Sequence, residues 1–252
     1  MAKKLGKNLV EVEKWHPFIA TPAYDGKVHA DYALAMTEAA FTAPIFQVQL
    51  TASIVGNGAF IDLARNQFVD KFLNEHTECT HLFFIDGDLK FPANAFIGLA
   101  RAGLPICAGV YRRRMEEEDY PMKYAEHPDV GGLWVETDKS GYDWIMAERV
   151  PTGFLCIRRD IVEEMAADAP KIKVQDGEGN LVDVAQVFKT DVLEDGRFIG
   201  EDFYFCDRYV EKYGVPIHVF PNIDFNHAGY QGNLNDYLEK KIESEESEES
   251  AA

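Results

Sequence analysis

The chain has 252 residues, with 43 acidic and 25 basic side chains and a formal net charge of −18. Hydrophobic residues make up 46% of it, which predicts a folded domain with a sizeable core and disfavours a disordered chain. The negative charge disfavours a general nucleic-acid binder, because phosphate binding relies on Lys and Arg.

Strands and helices alternate through the first 110 residues. Compact apolar runs predict strands, and apolar residues at helical spacing predict helices. In chain order the first elements are a strand at 18–20, a helix capped by Asp31, a strand at 46–51, a turn at 56–58 and a helix at 61–72. They are followed by a strand at 81–85, a helix that begins at Pro92 and is stopped by Gly103, and a strand at 104–110. Such alternation predicts a mostly parallel central sheet flanked by helices on both faces.

The second half is less regular as far as residue 150. Its predicted elements are a strand at 150–158, a short helix capped by Asp160, an insertion or hairpin at 168–198 with turns at 176–177 and 195–196, a helix at 201–213 closed by Gly214, and a strand at 216–220. Residues 1–238 are expected to form one α/β domain. Residues 239–252 carry six glutamates against two lysines and no aromatic residue, so we expect a solvated, disordered acidic tail.

No segment predicts membrane insertion or export. The longest apolar runs, such as Leu82–Ile85, are too short to cross a bilayer, and Met1–Val10 has lysines with no apolar run after them. The four cysteines show no metal-ligand spacing and are predicted to be reduced thiols of the core. These features predict a cytoplasmic protein.

Two carboxylates, Asp86 and Asp88, end the apolar strand at 81–85. Ionised carboxylates beside a core edge are costly unless a positive group pairs with them. At the carboxyl end of a parallel strand that group can be Mg²⁺ or Mn²⁺, which share their oxygen ligands with substrate phosphates. Gly87 between them admits a close ligand. The alternative is that both aspartates merely cap a turn or the next element.

The order of several motifs resembles glycosyltransferases of the GT-A fold, particularly the compact enzymes of phages and large viruses. The resemblance covers roughly residues 18–232, in the segments FIATPAYDG, LARNQFVDKFL, FFIDGD, AGVYRRR, VPTGFLCIRRDI, GEDFYFCDR and NHAG. It implies a single Rossmann-like domain and a metal-dependent, hexosyltransferase-like enzyme, located in the host cytoplasm if the protein is viral. Such an enzyme transfers a sugar from a nucleotide-sugar donor, expected to be a UDP-sugar, to an acceptor hydroxyl.

The resemblance also implies roles for individual residues. The implied donor-binding residues are Thr21, Pro22, Tyr24, Asp25, Arg65, Asp86, Gly87, Thr152 and Gly153. The implied metal ligands are Asp86, Asp88 and His227. Simpler alternatives remain, since Arg65 could be a surface charge, His227 an isolated histidine and Gly153 a site of close backbone packing.

The reaction needs a base for the attacking hydroxyl. In inverting members of the resembled class an acid at the start of a late helix has this role, which here implies Asp202 first and Glu201 second. Adjacent residues point in different directions, and either acid could instead only stabilise the positive end of its helix. The run Arg112–Arg114 could assist the diphosphate or belong to a closing loop, although four acidic residues at 116–119 make a surface role equally open.

Other functions share parts of this pattern. A haloacid-dehalogenase-type phosphatase would place its aspartate motif near the N-terminus with Ser or Thr where Lys90 stands. A nucleotidyltransferase would have a Gly-rich phosphate-binding loop with a lysine after the first strand, and this sequence has none there. A non-catalytic nucleotide-sugar-binding protein would not need the metal carboxylates. The acceptor stays open between a glycan, a protein, a small molecule and a hydroxymethylated base of viral DNA, and so does the oligomeric state.

Overall fold

The computed structural model describes residues 14–55, 60–175 and 179–251. Its helices are α1 (Ala30–Thr42), α2 (Ile61–Asn74), α3 (Ala93–Arg101), α4 (Arg159–Asp168), α5 (Glu201–Tyr213) and α6 (Leu234–Ala251). Its strands are β1 (Pro17–Pro22), β2 (Thr51–Val55), β3 (His81–Ile85), β4 (Leu89–Lys90), β5 (Ile106–Ala108), β6 (Lys123–Tyr124), β7 (Val135–Thr137), β8 (Asp143–Arg149), β9 (Phe154–Arg158), β10 (Lys171–Gln175), β11 (Leu181–Ala185), β12 (Asp191–Val192), β13 (Phe198–Ile199), β14 (Ile217–Val219), β15 (Phe225–His227) and β16 (Tyr230–Gly232). The predicted turns at 56–58 and 176–177 lie outside the described residues.

The central sheet has nine strands in the order β2-β1-β3-β9-β5-β14-β8-β6, with β7 also paired to β8. Seven of them run in one direction, and only β8 and β9 run against it. The predicted α/β class with a mostly parallel sheet is therefore confirmed. The antiparallel β9 lies between β3 and β5, so the residues just before it reach the edge where β3 ends.

Alternate residues of the central strands pack on opposite faces of the sheet. Phe84 of β3 joins a core cluster that includes residues of α2, α4 and α5, while Phe83 joins a second cluster with residues of α1 and α3. The sheet is thus covered on both faces, which explains why β3 is apolar at every position.

Several predicted boundaries are wrong in detail. The strand expected at 46–51 begins only at Thr51, because a short 3-10 helix at Ala43–Phe46 ends at Gln47 in the left-handed region (φ 60°). Asp31 and Asp160 lie in the first turns of α1 and α4, where neither is the N-cap residue. Pro92 is the N-cap residue of α3, whereas the sequence predicts it as the first residue of the helix.

The C-terminal segment also differs from the prediction. Where a disordered tail was expected from residue 239, α6 continues as a helix to Ala251. Its first turns are anchored by the buried Leu234 and by Tyr237 and Leu238, which pack against the core. Glu and Lys are good helix formers, so the helix extends beyond this anchor, although residues 239–245 are exposed as predicted.

All four cysteines are buried and free of disulfide bonds, as the sequence predicts. No helix among the described residues has both the length and the apolar character needed to span a bilayer.

Candidate functional site

A cavity of about 660 Å³ opens beside the carboxyl ends of β1 and β3. Eight of the residues singled out in the sequence line it: Pro22, Tyr24, Asp25, Arg65, Asp86, Gly87, Asp88 and Arg114. Parallel strands bring their carboxyl ends to one edge of a sheet, which is why two segments more than 60 residues apart meet there. The Tyr24 ring is 76% exposed at the mouth and is free to stack on a planar group.

Three residues expected to bind the donor do not line this cavity. The Thr21 hydroxyl lies in the core, 2.5 Å from the Tyr32 hydroxyl. Thr152 is buried, with a hydroxyl that has no hydrogen-bond partner. Gly153 has a packing role, because a Cβ there would overlap the Asp86 carboxylate and the Tyr111 hydroxyl.

Arg65 is the cation at the base of the cavity and is only 5% exposed. Its Nη2 lies 3.7 Å from Asp86 Oδ1 and its Nε lies 3.2 Å from Glu201 Oε1. The guanidinium also lies over the Phe84 ring, 5.5 Å from its centroid. Nε and Nη1 are buried and make no hydrogen bond of good geometry, so the ion pairs leave the guanidinium incompletely satisfied. The sequence alternative of a surface charge is wrong for Arg65.

Asp86 is held from two sides besides Arg65. Its backbone N–H donates to the Gly153 carbonyl (2.9 Å), and its Oδ2 accepts a hydrogen bond from the Tyr111 hydroxyl (2.8 Å). Burial and the Asp86 charge raise the pKa of Tyr111 well above its usual value, so Tyr111 stays a neutral donor. This network fixes the carboxylate at the end of β3.

Asp88 lies beside His227 because β4 pairs with β15, which places Leu89 opposite His227. His227 Nδ1 lies 2.9 Å from the Arg112 carbonyl, to which it can only donate, and Nε2 lies 3.6 Å from Asp88 Oδ2. Burial lowers the pKa of His227, but Asp88 and the Arg112 carbonyl outweigh it, and the pKa is raised. The imidazole is in turn the main cause of a lowered Asp88 pKa.

The Asp88–His227 pair is suited to a divalent cation. With Nδ1–H donated to a carbonyl, Nε2 and Asp88 Oδ2 face each other as two acceptors, so a proton or a cation is needed between them. Asp86 does not converge with this pair. Among the described residues, no set of ligand atoms from Asp86, Asp88 and His227 lies within 4.8 Å of one another. Mg²⁺ or Mn²⁺ fits as an ion with two protein ligands and the remaining positions left for phosphate oxygens or water.

The two acids at the start of α5 face different surroundings. Glu201 contacts Arg65. Asp202 instead lines a second cavity of about 330 Å³, together with the 72% exposed Phe198 and with Arg113, Arg149 and Arg197. Burial, followed by the charge of Glu201, raises the pKa of Asp202. A carboxylate with a raised pKa is a stronger base than an ordinary one.

The three arginines at 112–114 have separate roles. Arg112 donates to the carbonyls of Met115 and Glu116 and so shapes its own loop. Arg113 pairs with Asp119 at 2.6 Å, away from the first cavity. Arg114 lines that cavity and donates to Asp88 at 2.8 Å, so it is the member of the run placed to meet an anionic ligand.

Tyr111 was missed from the sequence as a site residue, as were the cavity-lining Lys27, Val28 and His29. The 28–29 segment lies over Gly87, whose carbonyl accepts from the His29 N–H at 2.7 Å. Tyr111 follows the predicted strand at 104–110, but nothing in its local pattern predicts a bond to Asp86, 25 residues earlier. These contacts arise from strand order and leave no signal in the sequence.

Comparison with known proteins gives little further guidance. No family model and no curated protein matches the sequence. Among solved structures the chain is similar to A197 from STIV, with 14% identity, 84% of each chain covered and a TM-score of 0.47. It is also similar to a glycosyltransferase involved in glycosylation of the major capsid of PBCV-1, with 8% identity, a TM-score of 0.30, and 59% of this chain and 62% of that one covered. Both TM-scores are below 0.5, so the function is argued from the site alone.

Proposed function

We propose that the protein is a metal-dependent glycosyltransferase that uses a nucleotide-diphosphate sugar, with a UDP-sugar as the expected donor. The observation that carries the proposal is the buried Arg65, with unsatisfied N–H donors, at the base of a cavity that also holds Asp86 and Asp88. A buried cation beside two carboxylates suits a ligand that brings negative phosphate groups and a divalent ion together.

The donor occupies the first cavity in this proposal. The base stacks on the exposed Tyr24 ring, and Asp25 and Asp86 accept hydrogen bonds from ribose hydroxyls. Arg65 from below and Arg114 from the rim donate to the diphosphate, which displaces Arg114 from its present bond to Asp88. Gly87 lets Val28 pack closely against it in the cavity wall, since a Cβ there would come within 3.1 Å of a Val28 methyl group.

Asp88 and His227 hold Mn²⁺ or Mg²⁺ in this proposal, and Asp86 contributes to the metal site only through the bound donor. When bound there, the ion would neutralise the charge that develops on the departing diphosphate. Arg65 and Arg114 act on the same charge from the protein side. The Arg112 carbonyl keeps the His227 ring in the tautomer that presents Nε2.

Asp202 is the proposed base, which makes the transfer an inverting one, with Glu201 as the alternative. Its raised pKa and its position on the second cavity support this choice, whereas Glu201 is occupied by Arg65. The acceptor hydroxyl enters through that second cavity, loses its proton to Asp202 and attacks the sugar carbon from the face opposite the diphosphate.

The proposal is tested by ligand-induced stabilisation of the purified chain. UDP-, GDP-, TDP- and CMP-sugars are screened with Mn²⁺ and with EDTA, on the wild type, on Asp88→Asn and on the surface control Asp195→Asn. A ligand at a hundredfold excess over its Kd adds about 2.7 kcal/mol of stability, which is measurable as a higher Tm. We expect a metal-dependent shift with one nucleotide, lost in Asp88→Asn and kept in the control. No shift with any nucleotide sugar would overturn the proposal.

A non-catalytic nucleotide-sugar-binding protein is separated from an enzyme by Asp202→Asn. In an enzyme this substitution leaves the donor-induced Tm shift intact and removes turnover of the donor, including its slow hydrolysis by water. Retained turnover in Asp202→Asn with loss in Glu201→Gln would move the base to Glu201. Absence of turnover in the wild type with every acceptor class tried would favour binding alone.

A further inference from the structure

A second cluster of ligating side chains lies at the opposite end of the sheet. His16 directly precedes β1, and Glu78 and Cys79 lie just before β3. Because β1 and β3 are parallel neighbours, with Pro17 opposite His81, their amino-terminal ends meet. One ligating atom from each of the three residues lies within 4.8 Å of the other two, and no other trio of His, Cys, Asp or Glu in the described ranges does this.

His16 has a coordinating position that the fold does not use. The residue is 8% exposed, and its Nε2 lies 2.9 Å from the Thr51 hydroxyl. Its Nδ1 is buried and has no hydrogen-bond partner. Buried polar atoms are normally satisfied, and metal-binding histidines typically hold a protein partner with one ring nitrogen while the other binds the ion.

The spacing of the other two donors matches coordination of a single ion. Cys79 Sγ and Glu78 Oε1 are 3.6 Å apart. In a tetrahedral zinc site, with Zn–S of about 2.3 Å and Zn–O of about 2.0–2.2 Å, such donors lie about 3.5–3.7 Å from each other. A thiol–carboxylate hydrogen bond gives a similar distance, so the two explanations need an experiment to separate them.

A second histidine lies beside Glu78 but does not converge with all three donors. His76 Nδ1 lies 3.8 Å from Glu78 Oε1, and its ring stacks on Phe18 at 4.5 Å. Arg159 fixes this loop by donating to the carbonyls of His76 (2.7 Å) and Cys79 (2.6 Å). The donors are therefore held in place by contacts that do not involve an ion, as in a preorganised site.

We propose that His16, Glu78 and Cys79 bind Zn²⁺ or a similar transition-metal ion. A thiolate and an imidazole select zinc-like ions over Mg²⁺, whereas the carboxylate of Asp88 is suited to a hard ion. The ion ties the segment before β1 to the loop between α2 and β3, so the site is structural. It lies at the other end of the strands from the first cavity and does not depend on the proposed transferase function.

Co²⁺ is the probe for this site, because a cobalt–thiolate bond gives a charge-transfer absorption that carboxylate or imidazole ligands alone do not. The full chain is stripped with a chelator and titrated with Co²⁺ alone. We expect a thiolate band that saturates at one equivalent, is lost in Cys79→Ser and persists in Cys107→Ser, a matched substitution of another buried cysteine. The band also persists in Asp88→Asn, so its fate is independent of the candidate active site.

A second variant covers the case in which Cys79→Ser fails to fold. The Glu78 side chain is half exposed, so Glu78→Gln removes a charged ligand with little effect on the core. We expect it to weaken Co²⁺ binding at least about tenfold and to reduce the Tm increase that Zn²⁺ produces in the wild type. The absence of a thiolate band, or one unchanged in both variants, would leave the hydrogen bond as the explanation and overturn the proposal.

Discussion

Replacing Arg65 with methionine removes the cation at the base of the first cavity while keeping much of the side-chain volume. Glu201 at 3.2 Å and Asp86 at 3.7 Å then lose their buried counter-charge. At an effective dielectric constant of about 20, these contacts represent about 5 and about 4 kcal/mol of attraction before desolvation. Removing one partner of a buried ion pair typically costs about 3–5 kcal/mol. We therefore expect Arg65→Met to lower the free energy of unfolding by this amount.

Urea unfolding of four proteins measures this loss: the wild type, Arg65→Met, Glu201→Gln and the double variant. Neutralising Glu201 in the Arg65→Met background relieves the stranded charge, so we expect the double variant to recover about 1–2 kcal/mol. The surface control Arg208→Met, whose side chain pairs with Glu211 in an exposed position, is expected to change stability by less than about 0.5 kcal/mol.

Donor binding separates the two roles of Arg65. Glu201→Gln in the Arg65→Met background restores part of the stability but no diphosphate contact, so the nucleotide-induced Tm shift should stay absent. Two results together would refute this reasoning. The free energy of unfolding of Arg65→Met would lie within about 0.5 kcal/mol of the wild-type value, and the effects of Arg65→Met and Glu201→Gln would be additive in the double variant. Arg65 would then not be the buried counter-ion.

Three further predictions concern single positions. Gly153→Ala forces its Cβ into the Asp86 carboxylate, so we expect a lower Tm and a weaker nucleotide-induced shift than in the wild type. Asn66→Ala is expected to cost about 2–4 kcal/mol in urea unfolding, because it leaves both the N–H and the carbonyl of Phe188 buried without their partner. Burial lowers the pKa of His81 from 6.5 to about 4. Between these two pH values the unfolded chain binds a proton at His81 that the folded chain does not. The free energy of unfolding therefore decreases as the pH falls through this window, by about 3 kcal/mol in total. His81→Leu should flatten this part of the stability profile, and an unchanged slope would show that other groups cause it.

The sequence alone determined the features that depend on local pattern. The apolar run at 81–85 followed by Asp86 and Asp88 predicted a buried strand with carboxylates at its end, and α5 was predicted to close at Gly214, which adopts the left-handed conformation. These predictions succeed because the information for strand burial, helix spacing and a glycine stop lies within a few neighbouring residues.

Only the tertiary structure decided which side chains meet. Arg65 faces Glu201 from 136 residues away, and β4 pairs with β15 to bring His227 beside Asp88. Thr21 turns into the core although its neighbour Pro22 lines the cavity, because alternate residues of a strand point to opposite faces. Strand order and register set these contacts, and neither is written in the spacing of residues along the chain.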